Sequence, residues 1–355
     1  MNKYFLLIML SLFSSVLFAQ NREEAEKLVN EGIPYHDKGD YEGAITRYDK
    51  ALTLDKDNLL ALTEKSLTLL AAQKYDESIQ LCQRAIESHK GDKKLRTVYV
   101  NYGNALDGLK KTDKSLEIYD EGIKAFPDFY QLWFNKGITL SSVKKNNDAL
   151  ECFQKALMIN PNHPGSLNAM ARILHVDNKR IPALLAYSRF LVVEPQTKRS
   201  NENLMNLLKI MKANVEQTGK KSTNINIIGD DLKNSDDKGK SKENNFFTAD
   251  LILSMQTALD FENLNKDNTE VARFIRKIDK VCSALKESKK DNSGFYWDYF
   301  APYFIKMLDE KYIETFAYVA FASSDYPDVS TWLKSHDSEI NKFYEWSKSF
   351  KWKTN

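Results

Sequence analysis

Apolar positions along this chain recur at helical spacing, and from Ala25 to Thr197 the recurrence itself repeats every 34 residues. Five blocks align, 25–58, 59–92, 96–129, 130–163 and 164–197, with Lys93, Lys94 and Leu95 as a three-residue insertion. The fourth place of each block is large (Leu28, Leu62, Tyr99, Trp133, Leu167), as is the eleventh (Tyr35, Leu69, Leu106, Leu140, Leu174). The eighth is small: Gly32, Ser66, Gly103, Gly137 and Ala171. The twentieth is small too, with Ala44, Ser78, Ser115, Ala149 and Ala183. Tyr48, Cys82, Tyr119, Phe153 and Tyr187 hold the twenty-fourth place, and Ala51, Ala85, Gly122, Ala156 and Phe190 the twenty-seventh. Each block therefore predicts two helices, the small places letting them approach and the large ones filling the gaps. Pro127, Pro161 and Pro195 sit where the second helix should stop, because proline has no N–H to continue it. Lys56 and Lys90 replace proline in the first two blocks, and the large Phe190 in the fifth predicts altered packing there.

These places resemble the tetratricopeptide repeat (TPR), over about half of the chain. The resemblance implies an all-α superhelix of stacked helix–turn–helix pairs, each burying its apolar face only against its neighbours. Leu204, Leu208, Met211 and Val215 continue at helical spacing through 201–216, with Ser200 placed to cap the helix, and predict the capping helix of the array 25–216. The resemblance also implies a concave face, lined by the fifth and ninth places of each first helix, that cradles a protein or peptide. Those places hold Val29 and Ile33, Thr63 and Leu67, Val100 and Asn104, Phe134 and Ile138, Asn168 and Arg172. The groove is thus apolar in its middle, with Asn104, Asn168 and Arg172 as polar handles. Some TPR proteins clamp a C-terminal carboxylate with lysine and asparagine. Asn104 and Asn135 match part of that pattern, but Val100 and Phe134 stand where its lysine belongs. A mixed apolar groove for an extended or helical partner segment is the preferred reading.

Residues 218–245 are mostly Lys, Asp, Asn, Ser and Gly, with charges of alternating sign, and read as a solvated linker. Ile225, Ile227, Ile228 and Leu232 interrupt it as a segment able to pair as a short strand or turn. Residues 246–355 predict a small helical domain. Val271, Phe274, Ile275, Ile278, Val281, Cys282 and Leu285 form one amphipathic stripe, and Thr248 is the expected cap of an earlier helix. This segment carries Trp297, Trp332, Trp346 and Trp352 beside many Phe and Tyr. Such loading fills a core or lines a groove for a sugar, a peptide or a helix. Trp346 and Trp352, near the terminus and among lysines, are the two expected at the surface.

Composition narrows the function. Lys and Arg number 51 against 49 Asp and Glu, a net charge of +2 that provides no general field for nucleic acid or anionic lipid. Three cysteines cannot form a disulfide framework, and Cys82, Cys152 and Cys282 are expected as buried thiols. Residues 1–19 combine Lys3, a short apolar core and Ala19, the pattern of a secretory signal peptide, with no cysteine following to take a lipid. No membrane span is expected after cleavage, and the mature chain is expected to be exported, periplasmic or secreted. His36, His89, His163, His175 and His336 are scattered, and no metal, nucleophile, Walker or dinucleotide motif is present. His36 and His175 fall on inner helix faces, and Asp309, Glu310 and Glu314 read as a solvated helix face. No catalytic residue, metal or cofactor is expected. The leading expectation is a non-enzymatic interaction scaffold. A glycan- or ligand-binding module built on the aromatic segment is the alternative, and an enzyme with an unfamiliar helical domain the third.

Overall fold

The computed structural model describes residues 3–219, 222–226, 242–262 and 268–353, with side chains from Gln20 onward. The expected signal peptide and most of the expected linker, including Ile227, Ile228 and Leu232, lie outside the described side chains. The architecture is all-α. The repeat region folds as ten consecutive helices: α1 Lys3–Asp37, α2 Tyr41–Leu54, α3 Leu59–Ala71, α4 Tyr75–Ser88, α5 Leu95–Gly108, α6 Thr112–Ala125, α7 Tyr130–Ser142, α8 Asn146–Ile159, α9 Pro164–Val176 and α10 Arg180–Val193. Two compact units divide between Cys152 and Phe153, inside α8.

In the first unit the leading helices pack in series, α1 on α3, α3 on α5 and α5 on α7, and α1, α3 and α5 each also pack against the second helix of their own block. The small eighth place meets the large twenty-fourth. A Cβ on Gly103 would lie 2.4 Å from the Tyr119 ring, and one on Gly32 would lie 2.5 Å from Tyr48. The twentieth place adds a bond of its own, since Ser78 Oγ donates to the Ser66 carbonyl and Ser115 Oγ to that of Gly103, both at 2.8 Å.

The turn inside each block has one geometry. Its fifteenth place is left-handed in all five blocks: Gly39, Gln73, Lys110, Lys144 and Asn178 have φ of 80°, 61°, 61°, 61° and 54°. The next N–H reaches back to the carbonyl of the large eleventh place, as in Lys74 to Leu69 (2.8 Å) and Lys111 to Leu106 (2.9 Å). Only the first block uses glycine there; the others hold an L side chain in a strained region. Proline is dispensable at the other helix end. α2 and α4 stop at the same place as α6, α8 and α10, their Asp55 and His89 N–H groups bonding Ala51 and Ala85 carbonyls.

The second unit continues through α11 Lys198–Lys212, the hairpin β1 Val215–Gly219 and β2 Ser222–Ile225, then β3 Lys242–Glu243, α12 Phe247–Ala258, α13 Glu270–Ser288 and β4 Asn292–Ser293. It ends with α14 Phe295–Tyr299, α15 Ala301–Asp309, α16 Ile313–Ala320, α17 Pro327–Ser335 and α18 Asp337–Ser349. β1 and β2 are antiparallel, Val215 opposite Ile225, so Ile225, the member of that cluster among the described residues, lies in a strand. β3 lies parallel to β4.

Its centre is α10, buried from Arg180 to Val192 among α9, α11, α12 and α16. Two cations on this helix bind the C-terminal elements. Arg180 pairs with Asp250 (2.8 Å), donates to Ser254 Oγ (2.7 Å) and donates to the Ile210 and Met211 carbonyls. Arg189, 2% exposed, donates to Asn162, Tyr303 and Ser347 and lies 4.8 Å and 4.9 Å from the Tyr303 and Trp352 ring centres. Tyr299 OH donates to the Leu157 carbonyl at 2.8 Å.

These contacts correct the expected organisation. Residues 246–355 are no tethered domain; they share one core with α9, α10 and α11, because α10 is mostly apolar and is buried on every side, its two arginines included. The expected capping helix is likewise enclosed, packing on both α10 and α12. Its N-cap is Thr197, with Ser200 completing the capping box from inside the helix. Thr248 lies inside α12, where Asn245 Oδ1 instead accepts from the Phe247 N–H. The stripe on α13 is buried as expected, with Ile275 half-buried at its edge. All three cysteines are buried free thiols, and burial raises Cys82 to about 12 and Cys152 to about 11.

Two substitutions test the helix pairing. Gly103→Ala forces Tyr119 aside and should lower stability by about 1–3 kcal/mol in urea unfolding. Lys110→Gly relieves the left-handed turn, and its gain should be about 1 kcal/mol or less in the same assay.

Candidate partner-binding site

The inner wall of the first unit is the row α1, α3, α5, α7. Of the expected lining residues, Leu67, Val100, Asn104 and Phe134 are half-buried and Ile138 is 40% exposed. They present a stepped apolar surface. Val29 is fully buried in the core of the first two blocks, and Ile33 is half-buried. Thr63 is buried as well, its hydroxyl donating to the Leu59 carbonyl (2.7 Å), so it does not line the wall. The Asn101 amide joins α5 to α3 by donating to the Thr63 carbonyl (3.2 Å) and Ser66 Oγ (2.9 Å). Asn104 Oδ1 accepts from Tyr119 OH at 2.6 Å, which leaves its amide as the free handle. Asn135 turns back to the Gln131 carbonyl. On α9, in the second unit, Asn168 is half-buried with Oδ1 enclosed and unbonded, and Arg172 is exposed.

Trp346 and Trp352 do not form an exposed platform. Trp346 packs against Tyr303 and Tyr312, both at 5.1 Å, and against Phe343 at 5.8 Å. Trp352 stacks on Tyr303 at 5.1 Å with Arg189 over its ring. Trp352 and Tyr303 give the buried guanidinium electron-rich faces, and Trp346 packs on Tyr303 in turn. A different ring is presented: half-buried Trp332 lies stacked between Tyr318 (4.2 Å) and His336 (4.1 Å).

The fifth and ninth places are only part of the wall, and reading them alone misses its charge. His36 Nδ1 lies 2.8 Å from Thr68 Oγ1, joining α1 to α3. Glu64 is half-buried beside them, and its carboxyl is raised above its usual 4.5, by burial first and by the nearby Asp37 charge, with His36 opposing. Glu64, Asp37 and the half-buried Asp107 of α5 make no ion pair among the described residues. The cations of these helices are already engaged. Lys65 pairs with Asp49 and Lys136 with Asp120, both at 2.5 Å, and Arg96 lies 4.8 Å from the Phe129 ring centre. On α1, Arg22 and Lys27 pair with Glu26 and Glu24. The sixth and twelfth places of the first helices carried the missing signal.

Residues 97–129 and 130–163 each match the family described as tetratricopeptide repeat, and residues 34–64 match a family described as TPR repeat. The chain carries tetratricopeptide repeats over residues 34–64 and 97–163. This TPR chain is 27% identical over 168 residues to the Protein STIP1 homolog of Dictyostelium discoideum, covering 39% of this chain and 30% of that one. It is 25% identical over 197 residues to the human Protein O-mannosyl-transferase TMTC1, covering 54% and 22% respectively. The type IV pilus assembly protein PilF of Pseudomonas aeruginosa is 25% identical over 184 residues, 51% of this chain and 72% of PilF. A solved PilF structure has a TM-score of 0.43 at 22% identity, covering 54% of this chain and 90% of that one. The TPR chain spans less than a third of the length of STIP1 homolog and TMTC1. Among the described residues no helix is long and apolar enough to cross a membrane.

Glu64 has a measurable stability signature. Its folded value is raised, so its favourable contribution is complete below the unfolded value near 4.5 and is lost as pH rises. Glu64→Gln should therefore melt at a higher temperature than the parent at pH 7, and the two should converge below pH 4.5.

Proposed function

We propose that this protein is a non-enzymatic scaffold that holds a partner peptide or helix against the inner wall of its first unit. The observation that carries the reading is the row of half-exposed apolar side chains Leu67, Val100, Phe134 and Ile138 on adjacent helices, an apolar step that a partner can cover. Similarity to repeat proteins whose names denote pilus assembly supports a role in bringing proteins together. The place of action is the cell envelope or the exterior, on the strength of the signal-like pattern at 1–19. The transferase named among the relatives lends little to a catalytic reading, since the matched stretch is only 22% of it. Glycan binding through the terminal tryptophans has less support, because Trp346 and Trp352 face the Arg189 cluster.

Crosslinking of the full chain in its native compartment, followed by mass spectrometry, should identify a partner bound at α5 and α7. Phe134→Asp with Ile138→Asp should cut capture of that partner by an order of magnitude or more, as burying two charges opposite an apolar partner is strongly unfavourable. Unchanged capture would refute the groove.

A further inference from the structure

We propose that the inner wall of the first unit selects a segment in which apolar side chains are interleaved with lysine or arginine, the cations seated beside Glu64 and Asp107. The inference rests on the groove reading above and adds the chemistry of the partner. Three observations support it. The carboxylates of Asp37, Glu64 and Asp107 are on the leading helices α1, α3 and α5 without an ion-pair partner among the described residues. Every described Lys or Arg of α1, α3, α5 and α7 is engaged, by a carboxylate in four cases and by the Phe129 ring in the fifth. Burial raises the Glu64 carboxyl above its usual value, with the His36 charge opposing and a smaller rise from Asp37, so an arriving cation would favour its ionised form. An acidic segment would meet like charge on the same wall.

Spacing follows from the packing. Neighbouring helices lie roughly 8–10 Å apart and an extended peptide rises roughly 3.3 Å per residue, so successive helices of the wall are about three residues apart along it. The wall of four helices is then crossed by about twelve residues.

The test uses three labelled synthetic peptides of about that length, with leucines interleaved by lysine, glutamine or glutamate, titrated into the full chain by fluorescence anisotropy at low salt. The lysine peptide should bind at least about tenfold more tightly than the glutamate peptide, with glutamine between them. Glu64→Gln with Asp107→Asn should weaken the lysine peptide roughly tenfold and leave the glutamine peptide unchanged, while helical circular dichroism stays at the parent level. A purely structural role for Glu64 would not produce that selective loss. Equal binding of lysine and glutamate peptides, absence of binding, or an unaffected double variant would overturn the proposal. Phe134→Ser with Ile138→Ser separates the two readings. If it abolishes glutamine-peptide binding while charge makes no difference, the groove stands and the basic partner falls. If it changes nothing, both fall.

Discussion

The close contact of Gly103 with Tyr119, and of Gly32 with Tyr48, sets the geometry on which the first unit depends. A glycine under a tyrosine ring lets two helices of one block lie nearer than any side chain would allow, and the left-handed turn between them holds that approach in place. Serines at the twentieth place tie one helix to the carbonyls of the other. Because each block closes on itself in this way, its leading helix is free to pack on the next leading helix, and an inner wall results.

The second unit obeys a different constraint. α10 is mostly apolar and buried on all sides, and a helix of that kind is unstable until every face is covered. α9 and α11 cover part of it, and the C-terminal helices supply the rest. Arg180 and Arg189 make that closure specific. Arg180 has a carboxylate partner in Asp250; Arg189 has neutral oxygens and aromatic faces. Removing either set of partners would leave a buried charge uncompensated, so both orient the closure more firmly than apolar contact alone.

Function and stability pull apart on the inner wall. Lys65 and Lys136 are paired with aspartates, and Glu64 could have been neutralised by a similar pair, yet it stands beside Asp37 in a partly buried position. A carboxylate held against burial with only the His36 charge to favour it, next to exposed apolar side chains, is the arrangement expected of a surface completed by a partner.

Much of this was legible in the residues alone. The 34-residue return of Gly32, Gly103 and Gly137, set against Tyr48, Tyr119 and Phe153, specified helical pairs and their order, because small-against-large spacing is a local property of sequence. Phe190 signalled that packing changes in the fifth block, but not what covers it. That depends on contacts between residues more than a hundred positions apart, such as Arg189 with Tyr303 and Ser347, which no periodicity records. Trp346 and Trp352 were expected at the surface among their lysine neighbours, and the fold instead packs Trp346 on Tyr303, Tyr312 and Phe343 and Trp352 on Tyr303 and Arg189. Thr63 left the wall for the same kind of reason. Sequence alone determined the repeating helices and their spacing; the fold decided which faces stay open, since burial is set by whatever distant chain arrives to cover them.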